Sequence, residues 1–121
     1  MSKRWITLLI ACILLGGCAA TTKPMYDWEG YSQSLYKYKK NETPENMEAH
    51  KQVLVNIIEH SKENGLRVPP GVCCEYGYLL VKEGKVDEGM TYISMEKQTY
   101  PESSVFIERL QGNITEGKES K

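Results

Sequence analysis

A chain of 121 residues, 40% apolar and 26% charged, has room for one small globular domain. Its 15 Lys and Arg against 16 Asp and Glu leave a net charge of −1. That balance excludes the electrostatic footprint of a nucleic-acid binder, and no basic cluster stands ready to hold an anionic membrane.

Lys3 and Arg4 precede the apolar run "WITLLIACILLGG". As a helix it would span roughly 20 Å, short of the ~30 Å hydrocarbon core, so it predicts a signal peptide and not a membrane-spanning anchor. Its end, "LGGC", resembles the lipobox of bacterial lipoproteins. The resemblance implies cleavage between Gly17 and Cys18, with Cys18 diacylated as the new first residue. "LIAC", ending at Cys12, fits the same pattern but leaves an apolar core of only Trp5 to Ala11 and strands "ILLGG" on the mature surface, so Cys18 is preferred. Only a thiolate is nucleophilic enough to take the lipid as a thioether, and several acyl chains on one residue anchor stably where one would not. Ala19 stands where an aspartate would mark inner-membrane retention. The expected location is therefore the periplasmic face of the outer membrane, held by the lipid on Cys18. Losing residues 1–17 removes Lys3 and Arg4 and moves the net charge to about −3.

Residues 18–25 read as a lipidated tether, 26–111 as a helical domain and 112–121 as a disordered polar tail. In the domain, Trp28, Tyr31, Leu35 and Tyr38 recur at spacings of three, four and three, one stripe along a short helix. The stripe suits a core, an interface or the headgroup layer, with core the commonest use of such spacing. Next, "NETPENMEAHKQVLVNIIEHSKENG" carries a cap at Thr43, Pro44 at the first helical position and a stop at Asn64-Gly65. Met47, Leu54, Ile57 and Ile58 share one face of this outer helix. "PGVCCEYGYLLVKE" is different, being apolar nearly all round, which predicts a central helix sandwiched between its neighbours. Cys73, Tyr76 and Leu80 form one face and Cys74, Tyr78 and Val81 a second. Gly77 permits close approach of a neighbouring backbone, and Gly84 ends the helix. A further helix runs from about Val86 to Tyr100. "PESSVFIERLQG" reads as a short amphipathic helix with Val105, Phe106 and Leu110 inside. No strand pattern survives, and the expected fold is a small all-α helical hairpin array of about four helices.

The stretch from Cys73 to Pro101 resembles a tetratricopeptide repeat. Tyr76-Gly77 falls on its Leu-Gly pair, Leu80 on its first aromatic, Gly84 on its turn, Gly89 on its small residue and Ile93 on its second aromatic. Cys73 departs from the usual tryptophan, and Glu96 from the usual small residue. Across the mature chain, "WEGYSQSLYKY", "RVPPGVCCEYGYLLVKEGK" and "PESSVFIERL" resemble, in order, the proteobacterial lipoprotein family known as domain of unknown function 4810. The family has no established activity. Its members' frequent encoding beside curli-secretion-type (CsgG-like) lipoproteins implies a role in envelope assembly.

Cys73 and Cys74 are the obvious reactive candidates. Adjacent Cα atoms lie 3.8 Å apart, whereas disulfide-bridged ones need at least ~4.4 Å, so they do not pair with each other. Adjacent helical side chains diverge by about 100°, and no nearby C-x-x-C or C-x-x-H completes a metal site. Nothing basic stands beside them to create a thiolate, and buried apolar filling is the expected role. His50 and His60 lie about 15 Å apart along one helix and about 80° around it, so they cannot share a metal and are expected on the surface. No paired carboxylates, nucleophile motif, phosphate-binding loop or zincin motif is present. The sequence therefore points away from an enzyme, a cofactor, a metal or a small-molecule substrate. It points toward a lipid-anchored module that docks an envelope protein, with Trp28, Tyr31, Tyr36 and Tyr38 as candidate anchors between the aromatic helix and the central pair. The alternatives are a self-associating structural lipoprotein and a thiol redox factor or enzyme using Cys73 or Cys74.

Overall fold

A computed structural model describes residues 22–119. The expected leader, the expected cleavage between Gly17 and Cys18, the competing Cys12 and the first part of the expected tether lie outside them. The described residues form five α-helices and no strand: α1 (Tyr31–Lys40), α2 (Pro44–Glu63), α3 (Val72–Lys82), α4 (Val86–Thr99) and α5 (Ser104–Glu119), with a 3-10 turn at Pro101–Ser103. The all-α array is as expected; the described residues hold five α-helices where about four were expected. Where the sequence suggested a helix ending near Gln111 and a disordered tail from 112, α5 continues to Glu119. Ile107, Leu110 and Ile114 recur at spacings of three and four against α4, and this stripe outweighs the glycines at 112 and 117.

Local chemistry sets the helix ends. The Thr43 side chain accepts a hydrogen bond from the Asn46 amide at 3.2 Å, with Pro44 at the first position, as the sequence predicts. α3 begins differently. Its N-cap is Gly71, in the left-handed region at φ 89°, which has no side chain to cap with. Buried Glu96, reaching across from α4, supplies the cap: one carboxylate oxygen accepts from the Gly71 amide at 2.7 Å and the other from the Cys74 amide at 3.4 Å. This gives a physical reason for an acid at a position where a small residue would otherwise suit close packing.

α3 is the shared wall of the molecule. On one side Cys73, Tyr76, Leu79 and Leu80 pack with Tyr38 of α1 and Leu54, Ile57 and Ile58 of α2. On the other, Cys74 packs with Ile93 of α4 and Ile107 of α5. The 100° step between neighbouring helical positions thus sends two adjacent cysteines into two separate cores. Between α3 and α4 the backbones nearly touch. A Cβ placed on Gly77 would lie 2.5 Å from the Gly89 carbonyl oxygen and 2.8 Å from the Ile93 side chain, and one on Gly89 would strike the Gly77 carbonyl. Tyr76 and Tyr92 meet edge to face beside this crossing, their centroids 4.6 Å apart.

α1 is held less by apolar burial. Tyr38 is its only buried residue, so polar contacts from Tyr31 and Ser34 carry much of its attachment.

Candidate functional site

Among the described residues a concavity lies between α3, the 3-10 turn and α5. Positions four apart on a helix share a face, so Cys74 and Tyr78 line one wall and Phe106 and Leu110 the other; Tyr100 closes the end between them. The groove encloses about 640 Å³, within the 300–1,000 Å³ typical of ligand pockets. Tyr78 is 45% exposed and Phe106 63% exposed. Phe106 faces out because α5 takes its register from the 3-10 turn, which turns Ile107 inward; Val105 is likewise exposed. The expected inner face of Val105, Phe106 and Leu110 is corrected to Ile107, Leu110 and Ile114. Tyr78, placed on the second face of the central helix by its spacing, is also corrected outward, into the groove.

The groove's surface is mostly apolar, and the charged residues along it are all acidic. Glu75, Glu96 and Glu102 line it, with no Lys, Arg or His among the lining residues. Glu96 is committed to the α3 N-terminus. Glu75 is fixed from behind: its Oε2 accepts from the Tyr31 hydroxyl at 2.7 Å and its Oε1 lies 2.9 Å from His50 Nε2. On the other side of the ring, His50 Nδ1 lies 2.7 Å from the Ser34 hydroxyl, which also donates to the Tyr31 carbonyl at 3.0 Å. Burial alone would raise the Glu75 pKa, but hydrogen bonds from His50 and Tyr31 outweigh it and hold the carboxyl below its ordinary range. The same environment pushes the Tyr31 hydroxyl up to about 12, through burial first and its bond to Glu75 second.

His50 is therefore not the surface histidine the sequence suggests; it is fully buried, its ring stacked on Tyr38 at 5.9 Å. A serine, a histidine and a glutamate now stand in one chain of hydrogen bonds. Their wiring is the reverse of a hydrolytic triad, with serine on Nδ1 and the carboxylate on Nε2, and the wholly buried ring meets no space for a substrate. The arrangement instead orients Glu75. His60 is exposed as expected, 3.6 Å from Asp27.

A profile of the family described as domain of unknown function 4810 matches residues 25–110, spanning α1 to α4 and the groove-lining turns of α5. The chain belongs to that family. The description of domain of unknown function 4810 names no activity, so the site rests on its geometry. Nothing matches among curated proteins or solved structures.

The four aromatic anchors suggested for this member of domain of unknown function 4810 do not form one surface. Tyr38 is buried in the core and receives a hydrogen bond from Lys82 Nζ at 3.1 Å, so it offers no partner surface. Tyr31 is half-buried behind Glu75. Trp28, against Tyr31 at 5.1 Å, and Tyr36 remain exposed. The open aromatic groove lies elsewhere, on the α3–α5 side. Phe106 and Leu110, four apart, are its sequence signal.

Cys73 and Cys74 are 2% and 8% exposed. Burial, with the Glu96 charge adding, pushes both thiols up to about 11, so they are protonated at neutral pH and weak nucleophiles. In the native protein both resist a maleimide reagent and react promptly in denaturant, as read by mass spectrometry; rapid native labelling would overturn the burial.

Proposed function

We propose that this chain is a lipid-anchored envelope lipoprotein acting as a protein-protein interaction or assembly module, attached through Cys18 to the periplasmic face of the outer membrane. The observation that carries the reading is the groove, with Tyr78 and Phe106 uncovered on its walls. A tetratricopeptide-like arrangement fits the same residues: hairpins α1–α2 and α3–α4, a last helix α5, and the Gly77–Gly89 crossing inside the second hairpin. In that reading α1, α3 and α5 share the binding face. Service to a curli-secretion-type (CsgG-like) complex is the process it suits. Attachment by lipid is compatible with the absence, among the described residues, of a helix long and apolar enough to cross a membrane.

Two experiments test it. Cys18→Ala should release the protein from membranes; a variant still pelleting after a carbonate wash would refute the lipid anchor. A photo-crosslinking residue at position 106 in intact cells should give one discrete heavier adduct, absent when the probe sits at exposed position 52 on α2. Recovery of monomer alone would count against the groove as a docking site.

A further inference from the structure

We infer that the groove takes an apolar protein segment carrying a lysine or arginine whose charged head seats on Glu75. This rests on the reading of the groove as a partner site. Three carboxylates line the groove and no cationic side chain does; from outside the lining, the charge of Lys39 on α1 acts on Glu75 without forming an ion pair with it. The three carboxylates are not equivalent. Both oxygens of Glu96 are taken by backbone amides, and the residue is 4% exposed. Glu102 stands exposed at the rim on the 3-10 turn. Glu75 lies on the wall itself, its side chain 26% exposed.

An ionised carboxylate offers about four acceptor positions, and Tyr31 and His50 use two of the Glu75 set. No lysine or arginine forms an ion pair with it among the described residues. Its rotamer is fixed from behind by α1 and α2, so a cation arriving from the groove meets an acceptor that need not reorganise. Tyr78, Phe106 and Leu110 supply the apolar walls on which the aliphatic stem of a lysine or arginine lies while its head stays polar. The same charge repels acidic peptides and anionic lipid headgroups, which decides for a cationic protein segment over a membrane surface.

The test uses the full-length lipidated chain in detergent micelles as bait for displayed random 12-residue peptides. Selected peptides should combine Leu, Phe or Trp with a lysine or arginine. By fluorescence anisotropy, replacing that cation with norleucine should weaken binding to the unaltered protein about tenfold or more, and raised salt should weaken the parent peptide alone. Glu75→Gln should erase the difference between the two peptides, whereas Phe106→Ser should weaken both. Because Glu75→Gln also touches α1, the norleucine comparison on unaltered protein decides the matter independently. Peptides lost with Phe106→Ser but indifferent to the cation would overturn the charge inference and leave the docking reading intact. Peptides indifferent to Phe106→Ser and Tyr78→Ser would overturn both. Sedimentation showing a dimer abolished by Phe106→Ser would place a second copy in the groove and overturn the proposed occupant.

Discussion

Gly77→Ala lowers the unfolding free energy by about 3 kcal/mol or more, the upper part of the range for overpacking a tight contact. The added methyl has nowhere to go. Its nearest backbone neighbours are the Gly89 carbonyl at 2.5 Å and the Ile93 nitrogen at 3.0 Å, which move only if α3 and α4 separate. Separation would pull Ile93 away from Cys74 and Ile107, thinning the second core. Gly112→Ala is the matched control: it is also helical, but nothing lies within 4 Å of the added Cβ. There the usual helix preference for alanine should stabilise by roughly 0.5–1 kcal/mol. Urea midpoints of the two variants should therefore move in opposite directions, and a Gly77→Ala midpoint within error of the parent would sink the close-crossing account.

His50→Ala should be comparably damaging, about 3 kcal/mol or more, because it empties a core site and strips partners from two polar groups at once. Ser34 loses its ring partner, Glu75 loses its Nε2 partner, and Tyr38 loses the ring stacked on it. For a domain of this size each kcal/mol lowers the melting temperature by about 4–8 °C, so a fall of ~12 °C or more is expected. α1 should loosen first, since Tyr38 is its only buried residue. The carboxylate gives a second readout. Glu75 has a folded pKa held below its unfolded value near 4.3, so its contribution is present above that pH and is lost as pH falls through the folded value. Glu83, held down by its bond to Lys51, behaves the same way. Glu75→Gln should flatten the acid limb of the stability curve below about pH 4.3 without removing it, leaving the part due to Glu83. An unchanged limb would show that the network does not hold the carboxylate ionised.

What the sequence made legible was local. Thr43 and Pro44 announce the start of α2 because a cap needs only its own turn, and the composition around Cys73 and Cys74 announces a helix buried on both sides. Gly77 was readable as a close approach because nothing else explains a glycine inside an apolar helix. His50 was not, since its partners lie 16 and 25 residues away. The missed signal was positional: His50, Leu54, Ile57 and Ser61 recur at spacings of four, three and four, one buried stripe that contains two polar members. The groove was misplaced for a related reason. Counting aromatics near the N-terminus locates side chains but not their exposure, and the register of α5 depends on a turn that pattern alone does not fix.

One peptide bond separates Cys73 from Cys74, yet each belongs to a different half of the molecule. Thiol exchange at Cys73 reports opening of α3 away from α1 and α2, and exchange at Cys74 reports opening beneath the groove. Pulse labelling that resolves the two sites therefore clocks the halves separately, and the pair becomes a two-channel gauge of whether the domain breathes as one unit or as two.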